Sequence, residues 1–277
     1  DCDPATPDDD LDGDGAMLAD DCDDAEPEVG PDAPEVPLDG VDNDCDPETP
    51  DDDGDSDGVP GAEDCDDTDP TLWDGSSATG GEASPDFCAH RCGGAVIEGD
   101  LTVTGSEWTS LDALFCVGEV KGALRIYEVP ALASLNGLSE GLQVDGLQVA
   151  GADALTSLEA LGGITTVTGD ITLMGLPALT SLHGLDRITA IGGSLTLDGL
   201  DGLTSLSGLD ALTEVGGDLR VEGGANLRSL DGLDALVTVG GTAAFGGTFT
   251  PLPLLTDAHG LGALTTVGAY LAFGEVP

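Results

Sequence analysis

Basic and aromatic residues are scarce in this chain of 277 residues. Six Lys and Arg stand against 55 Asp and Glu, which gives a formal net charge of −49, and the aromatic residues are five Phe, two Trp and two Tyr. A surface this negative repels nucleic acid and anionic membranes, and it attracts cations. We therefore expect no nucleic-acid partner, and a positive ion is the first ligand to consider.

Long apolar runs are missing as well. No segment approaches the ~20 apolar residues that span a bilayer, so no membrane insertion is predicted. The chain opens on Asp1 rather than Met. We accordingly expect a mature or excised product, in which any signal peptide or anchor has been removed or lies outside this sequence.

Motifs of known catalytic sites are also lacking. The sequence has no G-x-S-x-G, no H-E-x-x-H and no phosphate-binding loop. Its three histidines, His90, His183 and His259, lie in unrelated contexts without a repeated acid or serine partner. The sequence predicts that the protein is not an enzyme.

Acidic residues are concentrated at the N-terminus. Residues 1–74 hold 31 Asp and Glu and no Lys or Arg, whereas residues 75–277 hold the other 24 acids and all six bases. Close-packed carboxylates cannot build an apolar core. We predict an irregular arm stabilised by calcium and disulfides over residues 1–74, here called the acidic segment. A linker and disulfide cap over 75–98 and a leucine-rich domain over 99–277 complete the predicted organisation.

The acidic segment repeats one phrase. "DCDPATPDDDLDGDGAMLADDCDD" begins at Asp1, and "DCDPETPDDDGDSDGVPGAEDCDD" begins at Asp44. Both contain D-x-D-x-D-G followed by a further acid, the pattern of the twelve-residue calcium loop, in which alternating acids face one ion and a glycine permits the bend. The predicted ligands are Asp10, Asp12, Asp14, the Ala16 carbonyl and Asp21 in the first copy, and Asp53, Asp55, Asp57, the Val59 carbonyl and Asp64 in the second.

A third acidic cluster, in "LDGVDNDCD", adds Asp42, Asp44 and Asp46 as candidate ligands. Oxygen ligands without a Cys-His cluster favour calcium over zinc, and magnesium prefers a stiffer octahedral site. The predicted cofactor is therefore calcium, bound at roughly 10⁻⁴ to 10⁻³ M as in extracellular modules. The alternatives are a disordered acidic linker and the general acidity of a halophilic protein.

The phrase "DxDGDG…DDCDD…PEV…DGVDNDCD" resembles the aspartate- and cysteine-rich metal-binding repeats of secreted and surface proteins of bacteria. The segment is also similar in style to thrombospondin type 3 repeats. This resemblance covers residues 1–74, and it implies calcium as the ion and an extracellular, stalk-like role. Members often carry a further cysteine before the DG, where this chain reads "PEVPLDG".

Seven cysteines occur, at positions 2, 22, 45, 65, 88, 92 and 116. Two pairs with a separation of 23 residues stand at equivalent points of the repeat, which favours one local disulfide per repeat. The predicted pairs are Cys22–Cys45, Cys65–Cys88 and, at the start of the second part, Cys92–Cys116. Other pairings stay open on sequence grounds. Cys2 would then have a partner before Asp1 or in another molecule.

From Gly99 onward the sequence repeats with a period of 23 or 24 residues, as in "GDITLMGLPALTSLHGLDRITAIG" and "GSLTLDGLDGLTSLSGLDALTEVG". Apolar residues at positions 3 and 5 alternate as in a strand, and glycines mark corners. The pattern predicts an all-β, right-handed parallel β-solenoid of seven full turns plus a last strand at "AYLAF". Two internal ladders are expected: Leu101, Leu124, Leu147, Ile171, Leu195 and Leu219, and Val103, Ile126, Val149, Leu173, Leu197 and Val221.

The phrase "NLxSLxGLxxLxxVGGxLxV" resembles the receptor L domain, the leucine-rich β-helix of growth-factor receptors and of some surface proteins, over residues 93–277. The resemblance implies a β-helix fold, while members serve as receptors, adhesins and wall components. Position 4 of each repeat is predicted to face solvent and is mostly small and polar, so no strong recognition face is expected. Trp108, Tyr127 and Tyr270 are predicted to pack at the end turns.

These features together predict an extracellular or cell-surface calcium-binding structural protein that self-associates head to tail. The expected contact joins the open strand edge around Leu271 and Phe273 to the first turn of another copy, around Val96 to Val103. The alternative is an adhesin or receptor-type module that binds a glycan or a protein and carries the acidic segment as a calcium-stiffened stalk.

Overall fold

A computed structural model gives the fold of the chain. The structure describes residue 13 and residues 22–23, 25–31, 33–34, 36, 41, 43–45, 77–83, 88, 94–247 and 250–274. Two compact units are present, one formed by Asp1–Asp74 with His90–Cys92 and the other by Gly75–Ala89 with Gly93–Pro277. Within the described ranges, no helix has the length and apolar character needed to cross a membrane.

Strands dominate the regular structure of the second unit. In chain order they are β1 (Ser77–Glu82), β2 (Ala95–Thr104), β3 (Val117–Tyr127), β4 (Gln143–Ala150), β5 (Ile171–Met174), β6 (Ala190–Ile191), β7 (Leu195–Asp198), β8 (Glu214–Val215), β9 (Leu219–Glu222), β10 (Thr238–Val239), β11 (Ala243–Phe245), β12 (Thr266–Val267) and β13 (Leu271–Phe273). Single-turn 3-10 helices occur at Asp112–Leu114, Glu159–Leu161 and His259–Leu261.

These strands form two parallel sheets. The larger one has nine strands in the order β1-β2-β3-β4-β5-β7-β9-β11-β13, and the smaller one has four in the order β12-β10-β8-β6. Successive turns of the chain add one strand each to the large sheet, so the chain winds through about eight turns of a β-solenoid. The predicted all-β solenoid is confirmed.

Strand register confirms the two predicted ladders. Leu101 lies opposite Leu124 in the large sheet, and Val103 lies opposite Ile126. Both ladders then run without interruption through β4, β5, β7 and β9. They extend further than predicted, because Ala243 and Leu271 continue the first ladder and Phe245 and Phe273 continue the second.

Leucines from the rest of each turn fill the interior. The same four positions of consecutive turns are buried, as in Leu155, Leu158, Leu161 and Ile164, then Leu179, Leu182, Leu185 and Ile188, then Leu203, Leu206, Leu209 and Leu212. Full burial of one such side chain contributes about 1.5–3 kcal/mol. No turn could bury this set alone, so each turn is stabilised by its neighbours.

Close stacking of the turns depends on glycine at one recurring corner. Gly184, Gly208 and Gly232 have φ of 113°, 109° and 109°, in the left-handed region. A Cβ atom there would lie 2.0–2.2 Å from backbone atoms of the preceding turn. Any other residue would therefore force adjacent turns apart.

Carboxylates tie successive turns together at the start of the strands. The Ala123 amide donates to Asp100 Oδ1 at 2.8 Å, and the Thr242 amide donates to Asp218 Oδ1 at 2.8 Å. The Ser194 amide donates to Asp170 Oδ1 in the same way, at 2.7 Å. Some of the solenoid's acids are thus fixed by backbone hydrogen bonds.

The first strand of the large sheet was not predicted. β1 pairs with β2 through a parallel ladder that is shifted between Thr79 and Gly81, and it lies in the segment that the sequence indicates as linker and cap. Its sequence, SATGGE, has no apolar alternation. The pairing therefore rests on main-chain hydrogen bonds, which leave no periodic signal in the sequence.

Disulfide pairing follows the prediction in one case and departs from it in two. Cys22–Cys45 is present, with Cα atoms 5.6 Å apart. Cys88 pairs with Cys116, also with Cα atoms 5.6 Å apart, so the predicted Cys65–Cys88 and Cys92–Cys116 bonds are wrong. The Cys88 amide donates to the Ala113 carbonyl, which places Cys88 beside the turn that ends at Cys116. Spatial contact across this turn decided the pairing, whereas the prediction relied on the spacing of the repeat.

Candidate metal-binding segment and surface grooves

Most of the predicted calcium ligands lie outside the described residues. These are Asp10, Asp12, Asp14, Ala16, Asp21, Asp42, Asp46, Asp53, Asp55, Asp57, Val59 and Asp64. The one described member of the set is Asp44, which is half-buried and directly precedes Cys45.

The Cys22–Cys45 disulfide closes a loop around the described part of the acidic segment. The Cys22 amide donates to Cys45 Sγ at 3.1 Å, and Cys45 has a positive φ of 59°. Closing a loop of this length restricts the unfolded chain by about 3 kcal/mol in the entropy model. The disulfide therefore supplies stability that an apolar core would supply elsewhere.

Asn43 organises the inside of this loop. Its side chain is 5% exposed, and its Oδ1 atom accepts a hydrogen bond from the Val36 amide at 2.9 Å. Its carbonyl accepts a second bond from the Gly30 amide at 2.8 Å, beside the buried Val29. Sequence reasoning missed Asn43, although a neutral residue within "DGVDNDCD" is a signal, because an uncharged amide is cheaper to bury than a carboxylate.

Backbone turns shape the chain after Cys22. The Asp23 carbonyl accepts hydrogen bonds from the amides of Ala25 and Glu26, and the Glu26 carbonyl accepts one from Val29. The side chains of Asp23, Glu26 and Glu28 are exposed. Residues 1–74 contain no Lys or Arg that could pair with these acids.

Gly13, inside the first predicted loop, has a φ of 83°. This left-handed conformation suits glycine and strains other residues. In the part of the chain that the structure describes, no group of three or more His, Cys, Asp or Glu side chains is placed to hold a metal ion.

On the solenoid, three basic residues are paired with acids. Lys121 contacts Glu98 at 2.6 Å, Arg125 contacts Asp100 at 2.8 Å and Arg220 contacts Asp218 at 2.9 Å. The hydrogen bonds that the Thr242 amide and the Arg220 guanidinium donate to Asp218 hold the pKa of this carboxyl below its usual range. The pairs are largely exposed, so each contributes little to stability.

The described histidines are surface residues. His183 is exposed, as predicted, and its Nδ1 lies 2.7 Å from Asp186 Oδ1. This hydrogen bond raises the pKa of His183 above its ordinary value. His259 contacts Asp257, two residues earlier in the chain, and His90 lies outside the described residues.

Aromatic side chains divide between core and surface. Trp108 is buried, in agreement with its predicted packing at an end turn, and Tyr127 is half-buried. Tyr270 is 62% exposed, so its predicted packing is wrong. The reason is that it lies beside β13, the outermost strand of the large sheet.

Two adjoining depressions, together called the lateral groove, lie on the side of the solenoid. They have volumes of about 630 and 270 Å³ and share Glu159, Gly162 and Arg187 in their linings. A separate depression of about 360 Å³ lies on the large sheet, between Arg125 and Thr172. The sequence reasoning predicted neither feature.

Comparison with known protein families gives one match. The family model Cu-binding MopE, described as "Putative metal-binding motif", matches residues 21–51 and 64–77. No curated protein and no solved structure is a significant match to the chain. The acidic segment therefore carries a metal-binding motif. Together with the described disulfides Cys22–Cys45 and Cys88–Cys116, this motif indicates an extracellular or periplasmic protein.

The matched residues overlap part of the predicted ligand set. Residues 21–51 contain Asp21, Asp42, Asp44 and Asp46, and residues 64–77 contain Asp64. The acids of both D-x-D-x-D-G phrases lie outside the matched ranges. The described disulfide Cys22–Cys45 and the buried Asn43 belong to the first matched range, so this part of the motif has a defined internal structure.

Proposed function

We propose that the protein is an extracellular calcium-binding structural protein, whose acidic segment is ordered by calcium and disulfides and leads into the β-solenoid. One observation carries this proposal: a segment with a metal-binding motif repeats a D-x-D-x-D-G phrase in register and contains no basic residue. Carboxylates at this spacing need a cation to bring them together. Binding free energy would then be folding free energy for the segment.

Donor chemistry favours calcium over the copper in the family's name. Residues 21–51 and 64–77 contain no His and no Met. Cys22 and Cys45, the two cysteines of the first matched range, are consumed in a disulfide. Copper prefers imidazole and sulfur ligands, whereas carboxylate and carbonyl oxygens suit calcium. Magnesium fits less well, because it demands a near-ideal octahedron and retains its water.

Calorimetric titration of the metal-free protein with Ca²⁺, Mg²⁺ and Cu²⁺ tests this assignment. We expect saturable Ca²⁺ binding at roughly 10⁻⁴ to 10⁻³ M and weaker Mg²⁺ binding. Asp12→Asn with Asp55→Asn should abolish most of the Ca²⁺ heat. The matched control, Asp153→Asn with Glu214→Gln, removes the same charge from exposed solenoid positions and should leave it unchanged. Tight Cu²⁺ binding without Ca²⁺ binding would overturn the proposal.

A second candidate function is end-to-end association of copies. β13 lies at the edge of the large sheet, and Leu271 and Phe273 are 48% and 42% exposed. The equivalent Ala243 and Phe245, one turn earlier, are fully buried. An exposed, apolar strand edge favours pairing with a further strand. The predicted receiving strand needs correction, because β2, which contains Val96 to Val103, is paired on both sides, and β1 is the outer strand.

Light scattering of the full chain in calcium tests association. Leu271→Asp should abolish growth of large particles. Met174→Asp is the matched control, because Met174 is also exposed, at 42%, but lies on β5 in the middle of the sheet. Wild-type protein that stays monomeric would reject this function and favour the adhesin-like alternative, in which the solenoid binds a ligand.

A further inference from the structure

Two glycines of one turn line the lateral groove. Gly162 and Gly163 occupy the positions that hold Asp186 and Arg187 one turn later. A Cβ atom on Gly163 would lie 2.0 Å from the Glu140 carbonyl oxygen. The backbone of the preceding turn therefore excludes any side chain from this position, and the depression is a fixed feature of the stack.

The volume of the groove suits a small molecule. Its larger part holds about 630 Å³, within the roughly 300–1,000 Å³ range of small-ligand sites. Carboxylates line it on two consecutive turns, from Glu140 and Glu159, and Asn136 adds an amide. These groups provide hydrogen-bond acceptors and negative charge in the lining of the groove.

The lining also contains positive charge. Arg187 lines both parts of the groove and is exposed. Within the described residues, Lys121, Arg125 and Arg220 each pair with a carboxylate, whereas the guanidinium of Arg187 forms no ion pair. His183 lines the smaller part beside Asp186. Among the described residues, the lining therefore contains a guanidinium and carboxylates that form no ion pair with one another.

We propose that the lateral groove binds a small zwitterion, an amino acid or a short peptide, with its carboxylate on Arg187 and its ammonium group on Glu140 and Glu159. A net anion would be repelled by the charge of −49 on the chain. A net cation would gain nothing from the guanidinium. A ligand with both charges can form charge-assisted hydrogen bonds with the guanidinium and with the carboxylates of the groove.

Three probes that differ only in their charged ends test this site: glycylglycine, its N-acetylated form, which is an anion, and its amide, which is a cation. Calorimetry or NMR titration of the full chain in calcium measures each affinity. Glycylglycine should bind at least about tenfold more tightly than either blocked form, because each blocked end loses a charged hydrogen bond.

Variants locate the binding on the groove. Arg187→Gln and Glu159→Gln should each weaken glycylglycine binding by about tenfold or more. Arg228→Gln, which removes another exposed arginine of the solenoid, should leave it unchanged. Equal binding of the three probes, no effect of Arg187→Gln, or no saturable binding of glycylglycine would each overturn the proposal.

Discussion

The acidic segment and the solenoid belong to one chain, yet they are stabilised by different means. Of the described residues between 22 and 45, only Val29, Gly30 and Asn43 are buried, and a disulfide closes the loop around them. Each complete turn of the solenoid, by contrast, buries a set of leucines and isoleucines. Acidic side chains are therefore held in position differently in the two parts. In the solenoid several of them accept hydrogen bonds from backbone amides of the next turn, whereas the described part of the acidic segment buries few residues, and we propose that an ion positions its acids.

Truncating a buried leucine should have the largest effect on the stability of the solenoid. Leu173 is fully buried in the second ladder, so Leu173→Ala should lower the free energy of unfolding by about 2–5 kcal/mol. Urea denaturation measures this loss. Thr172→Ala, on the same strand but half-buried, should change it by less than about 0.5 kcal/mol. Equal effects of the two substitutions would contradict a core-based solenoid.

Removing one disulfide should destabilise one of the two regions and leave the stability of the other unchanged. Replacing Cys22 and Cys45 by Ser should cost the acidic segment about 3 kcal/mol, because the unfolded loop gains freedom. Protease cleavage within residues 22–45 should then accelerate while the melting temperature of the solenoid stays constant. The reciprocal pair, Cys88→Ser with Cys116→Ser, should lower that melting temperature instead, since Cys116 is buried at the start of β3.

One residue of the solenoid with a strained backbone allows a test of how its corners contribute to stability. Glu128 has a φ of 55° at a corner where the following turns carry Gly151 and Gly175, both with φ of 61°. Left-handed backbone is costly for a residue with a Cβ, so Glu128→Gly should stabilise the solenoid by up to about 1 kcal/mol despite the extra freedom of the unfolded chain. Gly175→Ala should destabilise it by a similar amount. Equal melting temperatures for all three proteins would reject this account.

Protonation of His183 should give the smallest effect. The hydrogen bond that His183 donates to Asp186 Oδ1 raises the pKa of His183 in the folded protein. The contribution of protonated His183 to the stability of the folded protein is therefore fully present below the ordinary pKa of about 6.5. It is lost as pH rises through the raised pKa. NMR titration should place the His183 midpoint above that ordinary value. Asp186→Asn should return it toward 6.5, and an unchanged midpoint would show that Asp186 is not the cause.

The sequence predicts those features of the fold that produce a periodic pattern of apolar residues, and it does not predict features without such a pattern. The ladders through Leu101 and Val103 follow directly from alternating apolar positions, and the register agrees with them. β1 could not be found in this way, because its residues contribute main-chain pairing without an apolar pattern. The Cys88–Cys116 bond was missed because spatial neighbours across a turn, rather than equivalent repeat positions, decide which cysteines meet.

Other features that the sequence did not predict lie where the chain departs from the repeat or has no repeat of apolar residues. The lateral groove arises where Gly162 and Gly163 replace larger residues, and an alignment of the turns shows this gap without predicting its depth. Tyr270 is exposed because no described strand covers β13. In the acidic segment the spacing of acids predicts an ion, while Asn43 had to be recognised from its burial.

Hydrogen exchange of the two regions with and without calcium tests the central claim most directly. The account predicts that a chelator abolishes amide protection across residues 1–74, because ion binding supplies the folding free energy of that segment. Protection of the strands β4, β5 and β7 should not change, since buried leucines stabilise them. Asp12→Asn with Asp55→Asn should reproduce the chelator's effect in the presence of calcium. Equal protection of residues 1–74 with and without the chelator would contradict the account.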